Sequence, residues 1–372
     1  MNGFGLQYTD MTSRGRKRRP FPCRAFVGAT LVALILPAGA CSQKLKPIFE
    51  PWPDPIVWPV GQRAPRIRYV GQLSSSADLK PPRKAFQAIT DLIAGARKPQ
   101  KIQGPGSVMR TRDGDALWIA DPGGRCLHRL DLADRSYLRI DRVGGSPLLS
   151  PVDVSPGPDG SIYVCDSEGV AVYRLSENDG VLIESLRLPG EVGRPAALSY
   201  THGAREIILV DVSAHNIKVL GLDGSLRRII GRRGTGPGEF NFPCAVADDG
   251  DLIWIVDAGN QRVQGLTRAG EPVVSIGQPG DAPGDLALPK DVAIDSDGHI
   301  YVVDRRYENI QIFNRSGTLL LFFGEEGTGP GEFWLPAGIF IDSDDRIWVC
   351  DSYNGRVQVF DYLKTLEADQ YR

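Results

Sequence analysis

Six aspartates recur at one position of a repeated pattern in this chain. Each ends a short apolar run, as in "IWIVD" and "IYVVD", and successive members lie 45, 45, 46, 47 and 47 residues apart. One buried carboxylate can serve as a general acid or base, but six at one register are expected to accept backbone N–H bonds and to organise the loops that follow them. We therefore predict a structural role for Asp121, Asp166, Asp211, Asp257, Asp304 and Asp351.

A smaller set of polar residues suggests a ligand site. A proline precedes each repeated aspartate by 14 to 16 positions, and Asp153 and Asp291 stand two residues after two of these prolines. Lys290 and Cys244 occupy the adjacent position in their units. Carboxylates beside an amine would bind a cation or a small polar ligand. The alternative is a hydrated lining without a ligand, since only two of the six units contribute acids.

Other signatures of chemistry are missing from the sequence. There is no Gly-x-Ser-x-Gly, no Walker loop and no Cys-x-x-Cys-His haem site. The "DSDG" at 295–298 lacks the third acidic ligand and the distal glutamate of a calcium loop, so a turn is favoured. Cysteines such as Cys165 and Cys350 fit small core residues. We therefore predict no catalytic residue, no bound metal and no cofactor.

The elements that position these residues follow from the repeat. In the fourth unit, "CAVA", "LIWIVD", "VQGLT" and "PVVSIG" are short β-branched runs separated by turns such as "DDGD" and "RAGE". Four strands in 45–47 residues match one propeller blade, so six units predict an all-β, six-bladed β-propeller. The loops "GTGPGEFNFP" (234–243) and "GTGPGEFWLP" (327–336) recur between blades, which indicates scaffold rather than a phosphate cradle.

The ends of the repeat array predict how the ring closes. The sixth unit stops after its third strand, whereas "RIRYVG" at 66–71 has the pattern of the missing outer strand. We therefore predict that an N-terminal strand completes the last blade. Between it and the first blade, residues 83–98 carry apolar residues at helical spacing and predict one short helix.

The repeated pattern resembles that of a known family. The strand–turn pattern "IYVVD…N.IQIF" resembles the NHL repeat, and residues 64–363 as a whole resemble six-bladed propeller lipoproteins of bacterial envelopes. The resemblance implies one of several uses, namely RNA recognition, protein binding or the amidating lyase acting on peptidyl-hydroxyglycine. That lyase holds its metal with histidines, and none of the four histidines here falls on an inner strand, so its metal motif is not matched.

The N-terminal region predicts export and anchoring. Residues 1–40 contain a basic segment and a 16-residue apolar run ending before Cys41, and "LPAGAC" resembles a lipobox. We interpret residues 1–40 as a signal peptide with lipid on Cys41. Placement at the outer membrane is predicted, because Ser42 stands where an aspartate would retain the protein at the inner membrane. The alternative is an ordinary signal peptide that is cut near Ala40. Proline-rich residues 41–63 are predicted to form an extended linker or a ligand for a partner, and residues 364–372 a tail.

The charge and the surface aromatics indicate what kind of partner the protein binds. Outside residues 1–40 the chain has 37 basic and 44 acidic residues, which argues against nucleic acid as a partner. We expect an envelope-anchored platform for other envelope proteins. Its contact surface is predicted on the blade-to-blade face near Phe240, Phe333 and Trp334, although these aromatics could instead pack between blades. The alternative function is a hydrolase or lyase with a metal or small polar ligand at the channel mouth.

Overall fold

Twenty-seven β-strands build the computed structural model, which describes residues 46–61, 64–80, 98–201 and 203–364. Two 3-10 helices span Ser76–Leu79 and Ala258–Asn260. In chain order the strands are β1 (Val57–Trp58), β2 (Ile67–Leu73), β3 (Ser107–Arg110), β4 (Ala116–Asp121), β5 (Cys126–Asp131), β6 (Tyr137–Ile140), β7 (Arg142–Val143), β8 (Ser146–Pro147), β9 (Pro151–Pro156), β10 (Ser161–Asp166), β11 (Ala171–Ser176), β12 (Leu182–Ser185), β13 (Pro195–Thr201), β14 (Glu206–Asp211), β15 (Asn216–Leu220), β16 (Leu226–Ile230), β17 (Pro243–Asp248), β18 (Ile253–Asp257), β19 (Arg262–Leu266), β20 (Pro272–Ile276), β21 (Pro289–Ile294), β22 (Ile300–Asp304), β23 (Asn309–Phe313), β24 (Leu319–Phe323), β25 (Pro336–Ile341), β26 (Arg346–Asp351) and β27 (Arg356–Tyr362).

The strands form six antiparallel blades around a central channel. The first five blades are β3–β6, β9–β12, β13–β16, β17–β20 and β21–β24, each running in chain order from the channel outwards. The innermost strands contact one another in the cycle β3, β9, β13, β17, β21, β25 and back to β3. This closed cycle confirms the predicted six-bladed propeller. A small hairpin, β7 with β8, follows the first blade.

Burial explains why the second strand of each blade is almost entirely apolar. Every residue of β4, β10 and β14 is buried, because both faces of these strands lie against neighbouring blades. In several blades a large aromatic side chain lies on the second strand, three residues before the repeated aspartate. Trp118, Trp254 and Trp348 occupy this position and are fully buried. The core is consequently divided into six apolar clusters, one between each pair of adjacent blades.

The sixth blade confirms the predicted closure by an N-terminal strand. Its strand order is β1-β2-β27-β26-β25, so β2 supplies the outer strand that the C-terminal repeat lacks. β2 pairs antiparallel with β27, with Tyr69 opposite Phe360 and Leu73 opposite Val357. Because β2 comes from before the first blade and β27 from the end of the last, this pairing joins the two ends of the propeller.

The described part of the predicted linker, residues 46–61, packs on the sixth blade instead of extending from it. β1 pairs with β2 through Val57 opposite Arg68. The Trp58 ring lies 5.7 Å from that of Phe323 and the Trp52 ring 5.5 Å from that of Tyr69, between centroids. This packing corrects the prediction of an extended spacer for residues 46–61, because Trp52 and Trp58 contact aromatic side chains of the ring. A high proline content and the lack of a hydrophobic period do not reveal such contacts.

Several predicted features fall outside the described residues. These are the signal peptide with Cys41, the tail beyond Lys364 and, apart from Lys98, the helix at 83–98. Among the residues that are described, no helix is both long and apolar enough to cross a membrane.

The two matching loops have the scaffold role that their recurrence predicts. Gly238 and Gly331 adopt left-handed φ values of 74° and 80°, which glycine tolerates without strain. Their N–H groups donate to the side-chain oxygens of Gln264 and Gln358 in the adjoining third strands. The loops therefore fix the step from one blade to the next, and the N–H groups of these two glycines are used within the protein.

Candidate functional site

The channel brings together the four residues predicted as a ligand site. Asp153, Asp291, Lys290 and Cys244 all line one cavity of about 280 Å³. This cavity opens on the side of the ring that carries the blade-to-blade loops and the loops after the repeated aspartates, which we call the loop face. A second cavity of about 520 Å³ opens on the opposite side, and it is also lined by both carboxylates. Asp153 and Asp291 therefore stand between the two halves of the channel.

Hydrogen bonds fix both carboxylates across blade boundaries. Asp153 accepts from Ser107 Oγ at 2.7 Å in the first blade and from Leu198 N at 2.8 Å in the third. Asp291 accepts from Ile339 N at 2.8 Å in the sixth blade. Each carboxylate thus ties its own inner strand to a neighbour, which orients it but also uses part of its acceptor capacity.

The surroundings of this pair favour the protonated form. Burial raises the pKa of Asp291 to about 7; the hydrogen bond from Ile339 opposes this rise and the Asp153 carboxylate adds to it. Burial also raises the pKa of Asp153, against the hydrogen bonds from Ser107 and Leu198. Asp291 can therefore take up or release a proton near neutral pH, beside a second carboxyl group whose pKa is also raised.

The other two predicted residues differ in what they offer. Cys244 Sγ donates to the Lys290 carbonyl oxygen at 3.3 Å, and burial raises the pKa of this thiol to about 11, so it is not an activated nucleophile. Lys290 and Arg305 both line the loop-face cavity, and the repeat pattern did not predict Arg305 as a site residue. The only feature of the sequence that marks Arg305 is its position directly after the repeated Asp304.

The repeated aspartates organise two loops each. All six are fully buried. Each accepts a backbone N–H from the loop 16 to 18 residues earlier, as Asp121 does from Gln103 and Gly104. Each also accepts from the loop that follows it, as Asp121 does from Gly124. The preceding loop was not anticipated, because antiparallel pairing places it beside the aspartate only in the folded blade.

The loop face carries a discontinuous set of exposed apolar side chains, which we call the apolar rim: Leu149, Val170, Phe242, Leu288, Trp334 and Tyr353. Trp334 and Tyr353 are 43% and 63% exposed, and their rings pack together with centroids 4.8 Å apart and planes tilted by 45°. Phe242 is 52% exposed beside His215. Exposed aromatic groups of this kind are enriched at protein interfaces.

Two aromatics predicted for this surface lie elsewhere. Phe240 and Phe333 are fully buried and belong to the clusters between blades, which corrects their assignment to a contact surface. Each fills the space under a left-handed glycine, Gly231 and Gly324 respectively. Trp334 alone of the three is exposed. Phe242 and Leu288 were missed, although both immediately precede the proline that begins an inner strand.

Comparisons with known proteins agree with the fold. The profile of a family described as a 6-bladed beta-propeller matches residues 291–369. NHL repeat-containing protein 3 of Homo sapiens is 32% identical over 98 residues, which are 23% of this chain and 28% of that protein. The match therefore covers well under two thirds of that relative.

Solved structures resemble the chain in fold alone. A streptogramin B lyase has a TM-score of 0.51 at 15% identity, over 73% of this chain and 84% of that one. An auxiliary nutrient binding protein from Bacteroides thetaiotaomicron VPI-5482 has a TM-score of 0.55 at 13% identity, over 71% and 70% of the two chains. Together with the six blades, the family and repeat matches support an NHL-type six-bladed β-propeller.

Proposed function

We propose that this protein is a binding platform that holds another protein of the cell envelope on its loop face. The apolar rim is the observation that carries this proposal, because it places half-exposed aromatics in contact with each other on one side of a rigid ring. Aromatic anchors of this kind dominate the energetics of protein interfaces. Rigidity of the ring favours binding, since few side chains must be ordered when the partner docks.

The same proposal includes export and a lipid anchor on Cys41. It rests on the basic segment, the apolar run and the lipobox-like "LPAGAC" of residues 1–41. An anchored platform would meet partners in the same envelope, most simply at the outer membrane.

The platform is tested by affinity capture of the full chain from detergent-solubilised envelope. Trp334→Ser with Tyr353→Ser should lower the recovery of a specific partner by about tenfold, because two central anchors are removed. The matched control is Val273→Ser on an outer strand, which is 59% exposed away from the rim and should leave recovery unchanged. In the same fractionation, Cys41→Ser should leave the membrane pellet. Equal recovery by the rim variant and the control would reject the loop face as the contact surface.

A second candidate function is ligand binding or lyase-type chemistry in the channel. The paired carboxylates with raised pKa values favour it, together with Lys290 and Arg305 at the mouth. One structural neighbour is a streptogramin B lyase and another an auxiliary nutrient binding protein, but both are similar in fold alone.

The channel candidate is tested by titrating calcium chloride into the purified chain. Binding should strengthen as the pH rises from 6 to 8, because Asp291 loses its proton near 7. Asp153→Asn with Asp291→Asn should weaken binding about tenfold or more, whereas the rim variant should bind like the wild type. A wild-type chain without saturable heat, or a double variant with unchanged affinity, would exclude a cation site here.

A further inference from the structure

The first blade holds a cluster of three metal-ligating side chains outside the channel. Asp121 ends β4, and Cys126 and His128 lie two residues apart on β5. His128 Nε2 is 2.9 Å from Asp121 Oδ2 and 3.4 Å from Cys126 Sγ, and all three ligand atoms lie within 4.8 Å of one another. Each side chain is at most 1% exposed.

The other blades show what this position needs when it is only structural. Seven residues after the repeated aspartate, they carry a lysine, three glutamines or a tyrosine where the first blade has His128: Lys218, Gln264, Gln311, Gln358 and Tyr173. The glutamines bond the aspartate or the neighbouring loop with their amide groups. Loop organisation therefore calls for neither an imidazole nor a thiol, and the first blade is the one that combines both.

Charge balance points in the same direction. In the third, fourth and sixth blades the buried aspartate is neutralised by Lys218, Arg262 or Arg356. Among the contacts of the described residues, Asp121, Asp166 and Asp304 have no such lysine or arginine partner, and of these three Asp121 alone meets a histidine. A divalent cation bound by the Asp121 carboxylate and a Cys126 thiolate would leave the buried cluster neutral, which lowers the cost of burying its charges.

The histidine is also oriented as a metal ligand would be. Its Nδ1 lies 2.6 Å from the Tyr137 hydroxyl, which leaves Nε2 facing the carboxylate and the sulfur. Metal-bound histidines characteristically use the second ring nitrogen for such a hydrogen bond, because it fixes the tautomer and the plane of the ring.

We propose that Asp121, Cys126 and His128 bind a zinc ion. Mixed sulfur, nitrogen and oxygen donors suit zinc, which takes tetrahedral sites with bonds of about 2.0–2.3 Å. The observed separations of 2.9 and 3.4 Å need to open by only a few tenths of an ångström to fit around such an ion. These side chains supply three of its four positions. The ion would tie β4 and β5 to the loop at 103–104 that Asp121 also holds.

The test is zinc analysis of the purified chain after loading and exhaustive dialysis. Wild type should retain about one zinc ion per chain, and cobalt in its place should show thiolate-to-metal charge-transfer absorption. His128→Gln restores the residue found at this register in three other blades, so it should fold normally and retain about tenfold less zinc. Cys165→Ala removes a buried cysteine of the second blade and should retain zinc like the wild type.

Two results would overturn the site. One is a wild-type chain that keeps no zinc and gives no thiolate band with cobalt. The other is a folded His128→Gln chain, checked by circular dichroism, that retains zinc like the wild type. If His128→Gln does not fold, the cobalt spectrum of the wild type decides, since only a metal-bound Cys126 produces the band at this site and Cys165→Ala must preserve it.

Discussion

Lys218 and Asp211 form an ion pair that is buried almost completely in the third blade. Lys218 Nζ donates to Asp211 Oδ2 at 2.7 Å, and the two side chains are 1% and 0% exposed. Burial alone would raise the pKa of Asp211, but the bonds from Lys218 and from the N–H groups of Gly193 and Arg194 outweigh it, so the pKa is lowered. A lowered carboxyl pKa contributes stability at neutral pH that is lost as the pH falls.

This pair gives a prediction at the scale of one residue. Lys218→Met should lower the free energy of unfolding by about 3–5 kcal/mol at pH 7, because it leaves an unpaired buried carboxylate. Lys218→Gln should cost less, since an amide can still donate to Asp211 as glutamines do in other blades. The difference in the free energy of unfolding between Lys218→Met and the wild type should narrow as the pH falls, because without Lys218 the buried Asp211 carboxylate takes up a proton at a higher pH. Urea denaturation of both variants and the wild type, at pH 7 and at acid pH, measures these differences in the free energy of unfolding. A methionine variant as stable as the glutamine variant would contradict the prediction.

At the scale of elements, β2 is the piece on which the ring depends. Ile67 and Leu73 are fully buried, in the clusters that the sixth blade shares with the fifth and with the first. Removing β2 would expose both clusters and leave β27 as an open edge. Deletion of residues 64–72 should therefore abolish cooperative unfolding.

A single substitution tests the same closure without removing the strand. Ile67→Ala should lower the free energy of unfolding by about 2–4 kcal/mol, because it leaves a cavity between two blades. Val273→Ala shortens a side chain that is 59% exposed on an outer strand, so it should change stability by less than about 0.5 kcal/mol. Chemical denaturation of the two variants gives the comparison. Equal stability of both would show that β2 does not hold the ring together.

The arrangement of neighbouring blades also explains why the sequence did not show which aromatics are buried and which are exposed. "GEF" and "FWLP" place Phe333 and Trp334 side by side, yet one is buried and the other 43% exposed. Adjacent residues of a loop point in different directions, and only the position of the neighbouring blade decides which direction is inward. For the same reason Tyr353 was missed, since it becomes part of the rim by packing against Trp334, which lies in a different loop.

At the scale of the whole molecule, the repeat predicts both the ring and the place of the channel acids. Asp153 and Asp291 occur in the second and fifth of six units, so a sixfold ring must set them across its axis. The raised pKa of Asp291 could not be predicted in this way, because it depends on burial and on the field of Asp153 in the assembled channel. The Asp121–Cys126–His128 cluster likewise needs the pairing of β4 with β5 to become visible.

The sequence by itself determined the number of blades, the register of the repeated aspartates and the strand that closes the ring. These features are local and periodic, and repetition averages out the ambiguity of any single strand. Tertiary structure alone decided the docking of residues 46–61 and the composition of the apolar rim. It also decided which side chains surround His128, namely Asp121, Cys126 and Tyr137. These depend on contacts between segments distant in the chain, for which neither spacing nor composition carries a signal.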